Sequence, residues 1–501
     1  MSLRRPFLAV LLCLLPAVGV VFPGLARAQE GFPLFTTDFP PEEFAARRAK
    51  VYEAIGTDAI AVVQGAPSPP SYTRFRQTNE FYYLCGIETP HAYILMDGKT
   101  KKTALFLPHR NEKRESGEGR MLSVEDADEV KKLSGVDEVI ATDLLAEHIE
   151  GKYLRTGKTI LYTPLAPAEG GSMSRDLAMR YVADTGTDPF DQGVSREGRF
   201  AELIRLRFPV FTVKDLSPTL DALRLIKSPR ELEMIRKSTK LAGLALVEGM
   251  RSVKPGQYER ELDAVGKFVY YRNGAQGDAY YSLIGSGRNA YWPHYNAGKR
   301  QMLDGDFLLM DYAPDYGYYM SDVTRMFPVN GKFSQWQREL YGFYLACYRE
   351  ILKALGPGKT GAQVISQAGA AMDPILAAAK FSKPSHRKAA EDFVAKYKKS
   401  AESEYPYVGH WVGMATHDVG SHEGPLKPGM VFTIEPALTV PDEKIYVRLE
   451  DMIFITETGA EVVSNEAPWD IDKIEKLMTE DGMLEKYPRV FPPPQASART
   501  P

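Results

Sequence analysis

The 501-residue sequence has few cysteines, almost no net charge, and no apolar run beyond its first 28 residues that is long enough to span a membrane. Three cysteines are too few for a disulfide framework. Lys and Arg total 62 against 65 Asp and Glu, which gives a net charge of −3, and no basic block stands out. The chain lacks the charge pattern of a nucleic-acid-binding protein, so we expect no nucleic-acid partner.

Two common catalytic motifs are also absent. The sequence contains neither a Gly-x-Ser-x-Gly nucleophile elbow nor a Walker phosphate-binding loop. The short Gly285-Ser286-Gly287 sequence is typical of a turn. These absences disfavour an α/β hydrolase.

The first 28 residues have the pattern of a secretory signal peptide. Arg4 and Arg5 precede an uncharged stretch, Pro6–Ala26, and Ala26-Arg27-Ala28 fits a signal peptidase site. The alternative is an uncleaved anchor, since a membrane span needs roughly 20 apolar residues. Prolines and a glycine within the stretch favour the signal. We expect cleavage after Ala28, a periplasmic or secreted protein, and no stable membrane insertion after cleavage.

Residues 29–216 alternate short apolar runs with amphipathic segments, which is typical of an α/β layer domain. Four runs have the composition of buried strands: Ala59–Val63, Ala92–Met96, Thr103–Leu107 and Thr159–Tyr162. We predict an α/β N-terminal domain over residues 29–216 and a second domain over residues 217–485. A tail over residues 486–501, rich in Pro, Ser and Ala, is predicted to be disordered.

The second domain begins with helical patterns and continues with strands. Ser228-Pro229-Arg230-Glu231 marks a helix start, with Ser as N-cap, Pro first and Glu third, and this helix is expected to reach about Met250. Three further helical patterns lie at Glu259–Asn273, 335–355 and 361–380. Residues 383–405 are rich in Lys, Ala and Glu, which predicts a solvated helix or loop.

Two aspartates occupy places in apolar strands where a charge is unfavourable. Asp311 ends the run Phe-Leu-Leu-Met, and Asp322 follows Tyr-Tyr-Met-Ser. Pro314–Gly317 between them has the composition of a turn, so we predict a hairpin that brings the carboxylates face to face. Facing, half-buried carboxylates destabilise each other unless a cation lies between them. The alternative is that one Arg or Lys from elsewhere pairs with Asp322.

Three more polar residues lie in apolar surroundings further along the chain. His410 follows Gly409, Glu435 ends an apolar strand, and Glu450 is predicted to lie inside another. Each alone has an ordinary explanation, such as a buried histidine or a Glu–Arg pair. With the two aspartates they form an oxygen-rich set suited to two divalent ions; we expect Mn²⁺, with Co²⁺, Zn²⁺ or Fe²⁺ as alternatives. Two such ions can activate water and polarise a carbonyl.

The order and context of these residues closely resemble the aminopeptidase P and prolidase branch of the pita-bread metallopeptidases. The resemblance lies in Asp311, Ser321–Phe333, His410, Glu435-Pro436 and Arg448–Asp451. It extends to Arg76–Gly86, which is similar to a segment of the aminopeptidase P N-terminal domain, and covers roughly residues 32–480. It implies that residues 217–485 form an α+β pita-bread catalytic domain.

The resemblance also implies a metal-binding role for each residue of the set. Asp311 would bind one ion. His410 and Glu435 would bind the other. Asp322 and Glu450 would bridge both ions.

The family further implies catalytic residues around the metals. Glu435 would accept a proton from the attacking water. His294 and His417 would stabilise the oxyanion and help to deliver a proton to the leaving nitrogen. Arg448 would orient the site carboxylates.

The sequence departs from the family pattern on the substrate side. Pro406 stands where the family usually has a histidine, four residues before His410. Ala437 replaces a common glycine, and Tyr446 replaces a small residue. His422 lies nearby and is interpreted as a surface residue without a role. None of these changes removes a predicted metal ligand.

These observations predict an aminopeptidase P-like enzyme whose substrate is a peptide with proline at the second position. The nearest alternative is a prolidase, which cleaves only Xaa-Pro dipeptides. A non-catalytic pita-bread binding protein and a metal-independent creatinase-type hydrolase are disfavoured by the intact ligand set. The resemblance implies a homodimer or homotetramer.

Overall fold

The computed structural model describes residues 38–69, 73–155, 157, 159–170, 173–191 and 193–490. The predicted signal peptide lies outside these residues, as do residues 491–501 of the predicted tail. Residues 486–490 are described, and Arg489 donates from Nε to Glu261 Oε2 at 2.9 Å. Among the described residues, no helix has both the length and the apolar character needed to cross a membrane.

The N-terminal domain is built on a six-stranded mixed sheet. In spatial order its strands are β4 (Glu138–Ala141), β3 (Lys102–Leu107), β2 (Tyr93–Asp97), β1 (Ala59–Gln64), β5 (Ile160–Thr163) and β6 (Thr212–Asp215). The β1–β2 and β2–β3 pairs are antiparallel, and the other pairs are parallel. All four strands predicted from apolar runs are present.

Both faces of this sheet are buried at its central strands. Alternate residues of β1 belong to different apolar clusters, Ala61 and Val63 to one and Ile60 and Val62 to another. This two-sided burial explains why the strands read as continuous apolar runs. The helices of the domain are α1 (Pro41–Ile55), α2 (Asn79–Cys85), α3 (Glu112–Glu118), α4 (Ala127–Ser134), α5 (Leu145–His148), α6 (Arg175–Thr187) and α7 (Arg196–Arg207).

The second domain combines long helices with short, mostly antiparallel strands. Its helices are α8 (Ser217–Leu225), α9 (Pro229–Ser252), α10 (Glu259–Arg272), α11 (Gln335–Ala354), α12 (Gly361–Ala378), α13 (Pro384–Lys399), α14 (Ile471–Leu477) and α15 (Met483–Lys486). Its strands are β7 (Gly277–Asp278), β8 (Leu283–Ser286), β9 (Phe307–Asp311), β10 (Pro314–Asp315), β11 (Thr324–Pro328), β12 (Val431–Ile434), β13 (Ala437–Val440), β14 (Ile445–Arg448), β15 (Asp451–Ile455) and β16 (Ala460–Val462). The sheets are β11-β9-β8, β12-β15-β16, β13-β14 and β10-β7.

The predicted start of α9 is present as a reciprocal cap. Ser228 Oγ accepts from the backbone N–H of Glu231 at 3.2 Å, and the Glu231 carboxylate accepts from the backbone of Ser228 at 2.9 Å. This capping box satisfies two amide groups that have no partner within the helix. The helices predicted at 259–273, 335–355 and 361–380 are also present, as α10, α11 and α12.

The predicted hairpin around the two aspartates is wrong in its details. β9 and β11 do pair antiparallel, but Asp311 lies opposite Thr324, and Asp322 precedes β11 by two residues. Pro314–Gly317 is not a simple turn, because its first two residues form β10 and pair with β7. The chain reverses within Tyr316–Tyr319, whose end residues exchange backbone hydrogen bonds of 3.0 and 3.1 Å.

Glu450 was predicted to lie inside a strand, and the structure places it at a break between β14 and β15. Its backbone N–H donates to Thr324 O at 3.2 Å, and its carbonyl accepts from Thr324 N at 3.3 Å. This isolated pairing joins the break to the first residue of β11. The carboxylate of Glu450 is thereby held beside the end of the β9–β11 ladder.

The segment 383–405 was predicted to be a solvated helix or loop, and most of it is α13. The helix is solvated on one side only. His386, Ala389, Ala390, Phe393 and Val394 are buried. The composition of this segment, with its many lysines, does not reveal the apolar stripe.

Candidate metal centre

Five polar side chains converge where strand ends of the second domain meet. Asp311 is the last residue of β9, Glu435 directly follows β12, and Glu450 lies between β14 and β15. His410 lies in the loop before β12, and its carbonyl accepts from the backbone of Thr433 at 3.0 Å. With Asp322, these residues complete the ligand set predicted from the sequence.

The side chains form two overlapping groups. His410 Nε2 lies 3.5 Å from Asp322 Oδ2, 3.4 Å from Glu435 Oε1 and 3.6 Å from Glu450 Oε1. Two triads have their ligand atoms within 4.8 Å of one another: Asp311, Asp322 and Glu450 in one, and His410, Glu435 and Glu450 in the other. Glu450 belongs to both triads, and Asp322 of the first lies 3.5 Å from His410 of the second, so these two carboxylates connect the two groups.

Tyr280 connects two of the carboxylates. Its hydroxyl lies 2.5 Å from Asp311 Oδ1 and 2.7 Å from Asp322 Oδ1. This contact fixes the separation of the two groups. The sequence does not single out Tyr280, because a tyrosine between the short strands β7 and β8 breaks no local pattern.

Arg448 also contacts the cluster. Its Nη1 donates to Glu435 Oε2 at 2.9 Å, and its Nη2 donates to Thr324 Oγ1 at 2.9 Å. The same Nη2 pairs with Asp311 Oδ2 and lies 3.6 Å from Glu450 Oε2. The guanidinium therefore orients three of the four carboxylates.

Three of the carboxyl groups resist ionisation. Burial, together with the charges of Glu450 and Asp311, raises the pKa of Asp322 well above its usual range. Burial also raises the pKa of Asp311, although Arg448 opposes the shift. Burial and Glu450 raise the pKa of Glu435 to about 7.

Glu450 is the exception among the four. Burial opposes its ionisation, but Arg448 and His410 outweigh burial and hold its pKa at about 2. Thr324 Oγ1 adds a hydrogen bond of 2.8 Å to Oε2. Its other oxygen, Oε1, is buried and accepts no hydrogen bond from the described residues.

The residues fit a pair of divalent cations. Four carboxyl groups lie around one guanidinium and one imidazole, so their ionised forms leave negative charge that bound cations would balance. Glu450, whose Oε1 accepts no hydrogen bond from the described residues, belongs to both triads. Carboxylate oxygens with one imidazole are ligands typical of first-row divalent metals.

His417 lies beside the cluster, and His294 does not touch it. The rings of His417 and His410 are 4.1 Å apart, and a further group with ligand atoms within 4.8 Å joins them to Asp322. Burial and the charge of His410 lower the pKa of His417 to about 3, so its imidazole is neutral at pH 7. His294 is exposed and has no hydrogen bond with the described residues, but its charge contributes to this lowering.

The departures from the family pattern lie next to the centre. Half-buried Pro406 lies at one side of a small cleft that also includes Tyr407 and His422. His422 is exposed, as predicted, and its ring stacks on Trp411 with centroids 4.8 Å apart and 11° between the planes. Tyr446 is half-buried on β14.

The chain matches two family models. The model of metallopeptidase family M24 matches residues 233–457, and that of the aminopeptidase P N-terminal domain matches residues 44–162. The mitochondrial intermediate cleaving peptidase 55 of Arabidopsis thaliana is 30% identical over 454 residues, which cover 87% of this chain and 83% of that protein. The chain belongs to metallopeptidase family M24.

Bacterial relatives place this M24 protein in the aminopeptidase P branch. The Xaa-Pro aminopeptidase of Escherichia coli is 29% identical over 460 residues, which cover 87% of this chain and 97% of the relative. The structure of E. coli aminopeptidase P with the inhibitor Pro-Leu has a TM-score of 0.69 and 26% identity, covering 88% of this chain and 98% of that chain. The predicted fold, an α/β N-terminal domain followed by an α+β pita-bread domain, is confirmed.

Proposed function

We propose that this M24 protein is a dinuclear-metal aminopeptidase that hydrolyses the N-terminal Xaa-Pro bond of peptides. The observation that carries the proposal is the pair of triads that share Glu450, one with three carboxylates and one with two carboxylates and His410. The names of the relatives support the substrate class, since one is called Xaa-Pro aminopeptidase and a similar structure holds the inhibitor Pro-Leu.

The metal ligands are the five residues of the cluster: Asp311, Asp322, His410, Glu435 and Glu450. Divalent ions, when bound, lower the pKa of water and polarise a carbonyl group. We propose Mn²⁺ as the native metal, because a donor set dominated by carboxylates suits this hard ion.

Glu435 is the residue placed to move a proton. One of its oxygens faces His410 at 3.4 Å, and Arg448 holds the other at 2.9 Å. Burial and Glu450 hold its pKa at about 7 in the metal-free protein. A carboxylate held in this position can accept a proton from the attacking water.

His417 is placed to stabilise negative charge on the substrate oxygen. Its pKa of about 3 keeps the imidazole neutral, so it acts as a hydrogen-bond donor rather than as a cation. His294, on the exposed side, would donate a proton to the leaving nitrogen once a peptide covers it.

Cleavage assays with three classes of peptide test the proposed activity. Xaa-Pro-Yaa peptides should lose their first residue, peptides without proline at the second position should not, and chelation should abolish turnover until Mn²⁺ is restored. Activity confined to Xaa-Pro dipeptides would instead identify a prolidase. Metal binding without cleavage of any peptide would identify a non-catalytic binding protein.

We also propose that the protein is exported and forms a homodimer or homotetramer. Arg4, Arg5 and the uncharged stretch before Ala28 support export, and the family resemblance alone supports the oligomer. Mass spectrometry of the protein made from its full gene should show Gln29 as the first residue. Light scattering on the same sample measures the oligomeric state, and a monomer would contradict the proposed homodimer or homotetramer.

A further inference from the structure

A cavity of about 280 Å³ lies next to the metal centre, along the same strands. Thr324 on β11 and Arg448 on β14 contact the site carboxylates. Two residues further along each strand, Met326 and Tyr446 line the cavity. Alternate residues of a strand share a face, and two residues span roughly 7 Å. The cavity is therefore within reach of a peptide bound at the centre.

Tyr446 lines the cavity and lies two residues before Arg448, which contacts the site carboxylates, on β14. Its pKa is raised to about 12 by burial and by the charges of Glu435, Glu450 and Asp311, against the opposing charge of Arg448. The side chain is thus close enough to sense the carboxylate cluster while it also lines the cavity.

The cavity wall carries more positive than negative charge. Its cationic residues are Arg288, Arg300, Lys383 and Lys444, and its acidic residues are Asp306 and Glu443. Both acids are already paired. Arg300 Nη2 donates to Asp306 Oδ1 at 3.1 Å, and Lys383 Nζ donates to Glu443 Oε2 at 2.6 Å.

The other two cations have no acidic partner. Among the described residues, neither Arg288 nor Lys444 forms an ion pair or a side-chain hydrogen bond. The Lys444 ammonium instead lies 4.8 Å from the Tyr291 ring centre and 5.9 Å from that of Trp292. Aromatic faces hold a cation in place without neutralising it.

We propose that this cavity is a carboxylate subsite, in which Arg288 and Lys444 bind an anionic group of the peptide substrate. The inference rests on the proposed peptidase function. A carboxylate is the anion that a peptide offers, and charge-assisted hydrogen bonds to it are strong. The carboxylate has two possible sources, an acidic side chain on the first residue or the free C-terminus of a short peptide.

Three tripeptides separate these sources: Ala-Pro-Ala amide, Glu-Pro-Ala amide and Ala-Pro-Ala with a free C-terminus. We expect kcat/KM for one anionic peptide to exceed that for the neutral amide by about tenfold. Arg288→Gln and Lys444→Gln should each reduce the ratio of kcat/KM for the anionic peptide to kcat/KM for the neutral amide. The double variant should abolish the preference for the anionic peptide. Turnover of the neutral amide serves as the reference within each variant.

Lys50→Gln is the matched control, because Lys50 is an exposed cation on α1 of the N-terminal domain. It should leave the ratio unchanged. Equal turnover of all three peptides by the wild type, or a preference that survives in the double variant, would overturn the subsite while leaving the peptidase proposal intact. If no peptide is cleaved, the peptidase proposal fails, and calorimetric binding of the same peptides still decides whether the cavity prefers the anions.

Discussion

Two regions of the protein bury clusters of charged side chains, but only one of them is close to neutral. The interface network joins the two domains through three carboxylates and three cations: Glu80, Glu169 and Asp418 with Arg175, Arg224 and Lys227. A further carboxylate, Asp221, lies at its rim with 26% of its side chain exposed. The metal centre instead places four carboxylates around one guanidinium.

The pKa values of one carboxyl group from each region illustrate this difference. Burial opposes the ionisation of Asp418, but Arg224 and Lys227 outweigh it, so the pKa of this carboxyl lies below its usual range. Burial and Glu450 raise the pKa of Asp322 well above its usual range. Buried acids alone therefore do not indicate a metal site. The informative feature is buried negative charge that the protein itself leaves unbalanced.

The largest expected effect is that of Asp322→Asn. The change removes a carboxylate from one triad, so we expect activity to fall roughly 10³-fold or more. The metal-free variant should nevertheless be at least as stable as the metal-free wild type, because a neutral amide removes repulsion from Glu450 and Asp311. Peptide cleavage and urea unfolding measure the two effects.

The control for this prediction is Asp472→Asn, at a side chain that is 98% exposed. This control variant should change neither the rate of peptide cleavage nor the free energy of unfolding of the metal-free protein. Retained activity in Asp322→Asn, or a large loss of metal-free stability, would show that the centre is balanced in the same way as the interface network.

Arg224→Met should disturb the interface network in the opposite way. It leaves Glu169 and Asp418 buried without the contacts of 2.9 and 2.5 Å that they now have with Arg224. Breaking a buried pair in this way typically costs about 3–5 kcal/mol. The free energy of unfolding in urea, measured without metal, should fall by this order.

Arg236→Met is the matched control, because its pair with Glu461 is 2.7 Å long but about half exposed. Its effect should stay below about 1 kcal/mol. Equal losses for the two arginine variants would mean that the interface network is no more important than a surface pair.

Tyr280→Phe should weaken metal binding without abolishing it. The change removes the hydroxyl that contacts Asp311 at 2.5 Å and Asp322 at 2.7 Å, but keeps the ring. Loss of a hydrogen bond to a metal ligand typically lowers affinity about 10–100-fold. The dissociation constant for Mn²⁺ checks this, and Tyr281→Phe, at a neighbour that is 58% exposed, should leave it unchanged. An unaltered dissociation constant in Tyr280→Phe would show that the Tyr280 hydroxyl does not support metal binding.

The smallest expected effect is the release of protons when metal binds. The pKa of Glu435 is raised to about 7 in the metal-free fold, so near pH 6 this group holds a proton that bound metal must displace. Because the folded-state pKa lies above the unfolded value, this group lowers the stability of the metal-free protein as pH rises from about 4.5 to 7.

Glu80 of the interface network also has its pKa raised to about 7, by burial and the charge of Glu169. The pH dependence of the free energy of unfolding therefore does not distinguish the metal centre from the interface network. Calorimetry of metal binding in buffers of different ionisation enthalpy distinguishes them, because it counts the protons that the metal ligands release. We expect more protons to be released near pH 6 than at pH 8, because at the lower pH Glu435 adds its proton to the one held by Asp322. Proton release that is the same at pH 6 and pH 8 would contradict the assignment of a pKa near 7 to Glu435.

The sequence predicts the features that depend on local patterns. β1 and its neighbours are recognisable because both faces are buried, and α9 because a capping box defines its first turn. The five candidate ligands stand out because each is a polar residue in an apolar setting. The order of these residues along the chain then suffices to recognise the family.

The features that depend on tertiary contacts could not be predicted in this way. Tyr280 contacts residues 31 and 42 positions away, and nothing in its neighbourhood marks it. The pairing of Asp418 with Arg224 spans 194 residues. The hairpin was misplaced because β10 pairs with β7, a two-residue strand that no periodicity reveals.

Metal stoichiometry tests the central claim most directly. The purified protein is stripped with a chelator, reloaded with Mn²⁺ and dialysed, and bound metal is counted by mass spectrometry. We predict two ions per chain in the wild type, corresponding to the two triads that share Glu450, and fewer in Asp322→Asn. A wild-type chain that binds no ion, or an Asp322→Asn chain that keeps two, would contradict the account.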